Sequence, residues 1–435
     1  MKKQIGTLIA LALTASTVAA GCASNASPAP SSNVELAKAN TPRSSSSPAD
    51  AASAAGGINA LGFDLERKLA AGSPNTVFSP ASISLALAMA RAGAHGTTAT
   101  EMDAVMRSVG SDANAAWLNA LDAALASRSG TFKDAEGKDL PVALRIANAP
   151  FVQKNLVLAP EYLKALASRF DAGVRLVDYV GDTEGARKQI NGWVDGQTEH
   201  RIPELLGAGA ITPATRLTLV NAIYMKAPWL NAFQASATVT GSFTRADGSK
   251  VDVSFMSETE SLKYASGTAA GGGWQAVEIP YVGGSLSMTV IVPEDLAAFE
   301  ASLTSKGFDA VTGALESKEV NLSLPKFGIE TKAQLADMLS ALGMSTAFDP
   351  DKADFSGMTT QEKLFISKVV HQANIDVDEK GTEAAAATAV VMDATAIPAE
   401  PVRVNVNRPF LFAVRDVPTG AILFLGRVGD PSIAR

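Results

Sequence analysis

Few side chains in this 435-residue sequence are suited to hydrolytic chemistry: it has three His and one Cys. His371 lies in an apolar run, which favours a hydrogen-bonded core histidine over a general base. For His200, at a helix end, and His95, between two turns, we expect a solvated or capping role. The motifs Gly-x-Ser-x-Gly and His-Glu-x-x-His are absent. A triad can be built from distant residues, but these observations favour a protein that is not an enzyme.

The composition also argues against cofactors and nucleic acid. Three His and one Cys are too few for a structural zinc site, and a single Cys forms no internal disulfide. With 37 Lys and Arg against 44 Asp and Glu, the net charge is -7, without the basic clusters that a phosphate backbone requires. Gly271-Gly272-Gly273 lacks the Lys-Ser/Thr pair of a phosphate-binding loop. We therefore expect a globular protein, 47% hydrophobic, with neither metal nor cofactor.

The stretch from Gly381 to Pro398 consists mostly of small residues and is compatible with two conformations. An Ala-rich helix is one interpretation, since Ala has the highest helix propensity. In a strand, however, successive side chains point to opposite faces. Glu383 and Asp393 then share the odd-numbered face, while the even-numbered face carries only Thr, Ala, Val and Met. The second interpretation is a strand with one buried face.

The first residues are typical of an export signal. Two Lys precede an apolar stretch from Leu8 to Val18 that is too short to span a bilayer, and small residues follow it up to Cys22. Because the only Cys comes directly after those small residues, the segment resembles a bacterial lipoprotein signal, which implies removal of residues 1–21 and lipidation of Cys22. Simple cleavage that leaves a free Cys is the alternative, since Ala19 occupies a position where such signals usually carry Leu.

Residues 22–57 are rich in Ser, Ala and Pro and contain almost no large apolar side chains. Such a segment buries too little surface to offset its chain entropy, so we expect a flexible tether. A tether suits a lipid anchor. The predicted location is the cell envelope, as a lipoprotein of the outer membrane or cell surface, or else the extracellular medium. Membrane contact is expected only through the lipid on Cys22.

Apolar periodicity predicts helices early in the chain and strands later. Ile58 to Leu69 carries a helical stripe, and Ser79 before Pro80 is typical of a helix start. Arg216 to Tyr224 is predicted to be a strand, and Lys332 to Leu342 a helix. Helices followed by strands indicate an α+β domain.

Five segments, in one order along the chain, resemble those of the serpins, and the resemblance covers residues 58–435. The segments are Asn75–Ile83, Thr218–Trp229, Leu324-Pro-Lys-Phe, His371–Thr382 with its Val377-Asp-Glu-Lys-Gly-Thr-Glu, and Arg408-Pro-Phe-Leu-Phe. The resemblance implies an α+β fold with about nine helices, three β-sheets and an exposed reactive-centre loop at residues 379–398. In that family a large central sheet accepts the loop as an extra strand.

The resemblance also implies roles for individual residues. It places a hydrogen-bonded shutter beneath the sheet and a breach at the top of the sheet, followed by the hinge of the reactive loop. Counted from the hinge, the family spacing puts the scissile bond at Thr395-Ala396. The shutter residues are Ser79, Asn221 and His371; the breach residues are Trp229, Lys326 and Glu379; the hinge residues are Glu379, Gly381, Thr382, Ala384, Ala385 and Ala386.

The implied function is irreversible, suicide-substrate inhibition of a serine protease, which is trapped as an acyl-enzyme when the loop inserts. A small residue at 395 suits elastase-like or subtilisin-like proteases, whereas a chymotrypsin-like enzyme could cleave after Met392, and Ala394 is a further possible register. A non-inhibitory serpin-fold binding protein and an inhibitor of a cysteine protease are the alternatives. The protein is expected to be a monomer that forms a covalent complex with its target protease.

Overall fold

The computed structural model describes residues 34–108, 110–383 and 400–433. The predicted signal peptide and Cys22 lie outside these residues, as do Ala384, Ala385 and Ala386 of the hinge and the bond Thr395-Ala396.

The described residues form nine α-helices, in agreement with the predicted fold class. They are α1 Pro48–Leu69, α2 Pro80–Arg91, α3 Gly96–Val105, α4 Ser111–Ala126, α5 Pro160–Phe170, α6 Thr183–Gln197, α7 Leu296–Ser302, α8 Ser305–Gly313 and α9 Ala336–Ala341. No helix in these described ranges is both long enough and apolar enough to cross a membrane.

Seventeen strands are present in the described ranges. They are β1 Glu35–Ala37, β2 Asn75–Phe78, β3 Gly130–Lys133, β4 Asp139–Gln153, β5 Val174–Val177, β6 Leu217–Pro228, β7 Val239–Thr244, β8 Lys250–Ala269, β9 Gly272–Pro280, β10 Leu286–Pro293, β11 Glu316–Pro325, β12 Phe327–Gln334, β13 Lys368–Asp378, β14 Gly381–Thr382, β15 Val402–Asn405, β16 Phe410–Asp416 and β17 Ile422–Val428.

The central sheet has the strand order β1-β5-β4-β6-β14-β13-β12, with β3 paired to β4. The remaining strands form a sheet of order β15-β11-β8-β9-β10-β16-β17-β2, with β7 paired to β8. The twenty-residue β8 joins two halves of this second sheet, since its first part pairs with β7 and β11 and its last part with β9. The described strands therefore form two sheets where three were expected, because β8 is shared by both halves of the second one.

Helices cover both faces of the central sheet near β6. On the outer face, α6 packs Ile190, Trp193 and Val194 against Ala147 and Val220 of the sheet in one apolar cluster. On the inner face, α2 begins as predicted: the Ser79 hydroxyl accepts a hydrogen bond from the amide of Ser82 at 3.1 Å. The sheet is therefore held between helices, and side-chain parity along β6 and β13 decides which face a residue reaches.

The prediction of a flexible tether through residue 57 is wrong for residues 34–57. Helix α1 begins at Pro48, because the Ser47 hydroxyl caps it by accepting from the amide of Asp50 at 3.2 Å. Upstream, Glu35–Ala37 pairs antiparallel with β5, and Val34 is buried. Composition alone missed these elements, since they are stabilised by contacts with distant parts of the chain.

The predicted helix from Lys332 to Leu342 is wrong in its first turn. Residues up to Gln334 belong to β12, which pairs with β13, and the helix covers only Ala336–Ala341. Cross-strand pairing outweighs the local helical preference there.

Candidate functional site: a slot in the central sheet and the hinge that enters it

Strands β6 and β13 enclose a slot at one end of the central sheet. Residues Thr218–Ile223 of β6 pair directly and in parallel with Lys368–Ala373 of β13. Beyond these residues the two strands no longer pair with each other, and β14 lies between their ends. One half of the sheet therefore ends at β6, the other half begins at β13, and the hinge enters where they separate.

Two hinge residues already belong to the sheet. Gly381 pairs with Pro228 on β6 and with Asp378 on β13, and Thr382 pairs with Ala227 and Val377. The even-numbered face of this stretch was predicted to be buried. This prediction is correct at Thr382, which is 1% exposed. Its hydroxyl lies 2.8 Å from the hydroxyl of Tyr281, so this buried polar group has a partner.

Only Gly fits position 381. Its φ is +142°, a backbone conformation that L-residues with a side chain rarely adopt. A β-carbon there would lie 2.3 Å from the carbonyl oxygen of Ala227 and 2.7 Å from the α-carbon of Pro228. The hinge can therefore approach β6 this closely because position 381 has no side chain.

Trp229 fixes the turn that leads from β13 to the hinge. Its indole N–H donates to the carbonyl oxygen of Asp378 at 3.0 Å, and its backbone amide donates to that of Lys380 at 3.0 Å. The buried ring stacks on Tyr281 with 4.5 Å between ring centroids and 12° between planes. Trp229, which the resemblance assigned to the breach, therefore holds the turn before the hinge and supports Tyr281, the residue that contacts Thr382.

The predicted ion pair between Lys326 and Glu379 is present. The Lys326 ammonium lies 2.8 Å from one carboxylate oxygen, and the Thr238 hydroxyl donates to the other at 2.7 Å. Burial alone would raise the pKa of Glu379, but the hydrogen bonds from Lys326 and Thr238 outweigh it and hold the pKa below its ordinary value. The carboxylate therefore stays ionised and anchors the start of the loop.

The three predicted shutter residues form one hydrogen-bonded chain beneath the sheet. The backbone amide of Ser79 donates to His371 Nε2 at 3.0 Å, and His371 Nδ1 contacts the amide oxygen of Asn221. Since Nε2 accepts, the proton is on Nδ1 and is donated to Asn221. This chain links the start of α2 to both β6 and β13, the two strands that must separate for a new strand to enter.

His371 is a neutral structural residue. It is fully buried, and desolvation, only partly opposed by its hydrogen bond with Asn221, lowers its pKa to about 3. His200 instead is exposed and lies 2.7 Å from Asp195, while His95 precedes α3 without a side-chain capping bond. Within the described ranges, no cluster of three or more His, Cys, Asp or Glu could hold a metal ion.

Four residues of this region were not predicted from the sequence: Tyr281, Thr238, Asn148 and Ser82. The hydroxyl of Ser82 donates to the side-chain oxygen of Asn148 at 2.9 Å, which ties α2 to β4 beside the shutter. The sequence does indicate a role for Asn148. It lies an even number of residues from Leu144 in β4, so both side chains point to the inner face of the sheet, where a polar side chain needs a partner. Tyr281 and Thr238 have no comparable local signal, because they reach the hinge only through tertiary contacts.

Comparison with known proteins places this geometry in one family. A family model described as "Serpin (serine protease inhibitor)" matches residues 57–431. The chain is similar to serpin B8 of Homo sapiens, with 38% identity over 82% of this chain and 94% of the relative. It is similar to leukocyte elastase inhibitor A of Rattus norvegicus, with 36% identity over 85% of this chain and 97% of the relative. The crystal structure of native protease nexin-1 with heparin has a TM-score of 0.76 and 29% identity, covering 88% of this chain and 100% of that chain.

Proposed function

The chain belongs to the serpin family, and from that premise we propose that it is an irreversible suicide-substrate inhibitor of serine proteases. The supporting observation is the hinge itself: β14 occupies the slot between β6 and β13 and is antiparallel to both. A loop that continues in this register after cleavage would lie between two strands that can both pair with it.

The register identifies the partners of the inserted residues. Thr382 is opposite Ala227 and Val377, so each further step along the loop moves one residue back along both strands. By this count Thr388 arrives between Asn221 and His371. Its hydroxyl would reach the inner face, where insertion breaks the hydrogen bond between those two side chains. The Thr388 hydroxyl would therefore offer a new partner to Asn221 and His371, which lose their hydrogen bond to each other.

The proposed reaction begins as ordinary proteolysis. The protease serine attacks the carbonyl carbon of Thr395, the bond to Ala396 breaks, the amine of Ala396 leaves with a proton, and Thr395 remains esterified to the serine. The freed strand then inserts. On the order of ten main-chain hydrogen bonds at about 0.5–1.5 kcal/mol each make insertion favourable by ~10 kcal/mol. Displacing catalytic groups by about 1 Å can slow deacylation roughly 100-fold.

An intact loop cannot gain this energy while it is held at both ends. One end begins at the anchored Glu379, and the other leads into β15, which pairs in parallel with β11. Cleavage releases the first part of the loop from β15. The uncut protein is therefore proposed to be metastable and to store the energy that arrests the protease.

The proposed targets are elastase-like or subtilisin-like proteases. Thr395 is small, and the stretch from Gly381 to Pro398 contains no Lys or Arg for a trypsin-like pocket. The similarity to a leukocyte elastase inhibitor supports the same class. We also propose that the protein acts as a monomer. On the basis of its N-terminal sequence, we propose that it is exported and anchored through Cys22.

The decisive test is incubation with elastases and a subtilisin, followed by denaturing electrophoresis and mass spectrometry. The proposal predicts an SDS-stable complex and release of a C-terminal fragment that begins at Ala396. A fragment that begins elsewhere would correct the register of the scissile bond. Cleavage by every protease without any covalent band would reject inhibition and favour a non-inhibitory binding protein.

A further inference from the structure

Two buried carboxyl groups meet where the end of α1, helix α7 and strand β17 pack together. Glu66 of α1 is 2% exposed, and Glu300 of α7 is 6% exposed. Their side chains are in hydrogen-bonding contact with each other. From β17, Arg427 Nη1 donates to Glu300 Oε2 at 2.8 Å. We call Glu66 and Glu300 the carboxyl pair, and the proposed inhibition makes no use of it.

The carboxyl pair has one bound cation for two acidic groups. Arg427 donates to Glu300 alone. The next residue of α1, Arg67, is engaged elsewhere, since it donates to Asp64 at 2.5 Å and to the carbonyl oxygen of Leu303 at 3.1 Å. If both carboxyl groups were ionised, the cluster would hold a buried negative charge without a partner, which is costly.

Neighbouring elements supply no second cation to the carboxyl pair. The charged groups that act on the two carboxyls are each other, Arg427 and, on Glu66, Arg67. Strands β2 and β10, which pack against β17 and α7, contain no charged residue. The charged side chains of β16 are held in other ion pairs, and those of α8 are exposed: Arg415 with Glu278, Asp416 with Arg128, and Lys306 and Asp309.

The oxygen atoms of the pair lack a donor. Glu66 Oε1 and Glu300 Oε1 are both buried, and in the described part of the chain neither accepts a hydrogen bond from an N–H or O–H group. Two ionised carboxylates can only accept, so their contact would be repulsive. One proton turns one carboxyl into a donor and the contact into a hydrogen bond, which gives both buried groups a partner.

The direction of the pKa shifts agrees with this geometry. Desolvation is the main cause that raises the pKa of Glu66 and that of Glu300, and the negative charge of Glu66 raises the latter further. Arg427 opposes both shifts only in part, and the pKa of Glu300 rises to about 8. Because the two groups interact directly, the proton belongs to the pair.

We propose that Glu66 and Glu300 share one buried proton at neutral pH and that this proton acts as a pH-sensitive lock on the junction of α1, α7 and β17. Loss of the proton leaves two adjacent carboxylates with one arginine, and their repulsion loosens α7 from α1. An unfolded chain releases such a proton near pH 4.5, whereas the folded chain keeps it up to about pH 8. The stabilisation is therefore fully present below pH 4.5 and is lost as the pH rises through about 8.

The direct test is infrared spectroscopy of the full chain, which detects the carbonyl band of a protonated carboxyl group. Subtracting the spectrum of Glu300→Gln from that of the wild type should leave this band at pH 7 and little of it at pH 9. Glu66→Gln should give the same difference, because either substitution removes the shared proton. Glu101→Gln is the matched control: Glu101 also joins two elements, accepting from the amide and the hydroxyl of Thr346 at 2.7 Å each, and its difference spectrum should lack the band.

Thermal unfolding measures the lock itself. One proton held only by the folded chain changes the unfolding constant about tenfold per pH unit, so between pH 6 and pH 8 the midpoint of the wild type should fall about 2–3 °C more than that of Glu300→Gln at one scan rate. Glu66→Gln should behave alike and serves if Glu300→Gln does not fold. The double variant should be less stable than either single one, since Arg427 then has no counter-ion. Absence of the protonated band in both difference spectra, or equal falls of the midpoint in all three proteins, would overturn the inference. Neither measurement depends on protease inhibition.

Discussion

The hydroxyl of Thr382 lies 2.8 Å from the hydroxyl of Tyr281, inside the sheet that the hinge enters. Tyr281 in turn stacks on Trp229, whose indole donates to the carbonyl of Asp378. One connected set of contacts therefore fixes the last residue of β13 and the first residues of the loop. The proposed insertion would therefore start from an ordered end, and only the residues beyond Thr382 would have to be added.

Replacing Thr382 with Arg should convert the proposed inhibitor into a substrate. The side chain of residue 382 is buried on the inner face, where an unpaired guanidinium costs several kcal/mol, so the hinge leaves the slot and insertion slows. Electrophoresis after incubation with elastase should show cleaved protein in place of the covalent band. Ser261→Arg, on an exposed part of β8, should retain the band. Persistence of the complex in Thr382→Arg would contradict insertion through the hinge.

Tyr281→Phe should loosen the hinge without disturbing the aromatic stack. The variant loses the hydroxyl that pairs with Thr382 but keeps the ring on Trp229, at a cost of about 1 kcal/mol. Hydrogen exchange at residues 381–383 should accelerate. Tyr162→Phe is the control, because it also loses a buried hydrogen bond, to the carbonyl of Met89, far along the chain from the hinge. Equal exchange at the hinge in both variants would show that Tyr281 does not hold it.

Much of the site could be predicted because its parts carry local signals. Strand parity put Thr382 on the buried face, and an apolar context made His371 a hydrogen-bonded core residue. Ser79 before Pro80 gave the start of α2. These residues are decided by near neighbours in sequence, so a single chain is enough to place them.

The remaining features depend on contacts between distant segments. The strand Glu35–Ala37 forms only because the edge of β5 is available to pair with it. The bond between Arg201 and Glu383 joins a loop after α6 to the hinge, and neither residue has a distinctive neighbourhood in the sequence. The start of α1 did have a signal, Ser47-Pro48 with Asp50 in the first turn, but the small-residue composition around it favoured a tether.

Gly381→Ala should expel the first hinge residues from the sheet. The added methyl would clash with the carbonyl of Ala227, and the φ of +142° adds backbone strain to the steric conflict. We expect slower formation of the protease complex and easier proteolysis near Thr382. Gly420→Ala shares a positive φ, at +76°, but has open space around the added methyl, so it controls for backbone strain alone. Similar complex formation in both variants would contradict the importance of close approach at Gly381.

His371 should make the uncut protein less stable as the pH falls below the ordinary pKa of histidine. Its folded pKa is lowered to about 3, so between about pH 6.5 and 3 the unfolded chain binds a proton that the folded chain excludes. The contribution of neutral His371 to the free energy of unfolding is fully present above about pH 6.5. It is lost on acidification, by about 2 kcal/mol at pH 5. At a fixed scan rate, the thermal midpoint of His371→Gln should fall about 2 °C less than that of the wild type between pH 7 and pH 5.

His200→Gln separates this effect from general titration of the chain. The His200 side chain is 78% exposed, so the same substitution there removes an imidazole from the surface and leaves the shutter intact. The carboxylates titrate alike in all three proteins and cancel in the comparison. Glutamine at 371 offers both an acceptor for the Ser79 amide and a donor for Asn221, so the shutter keeps polar partners while the titration is removed. If the thermal midpoints of wild type and His371→Gln fall by the same amount between pH 7 and pH 5, the acid sensitivity arises from groups other than His371.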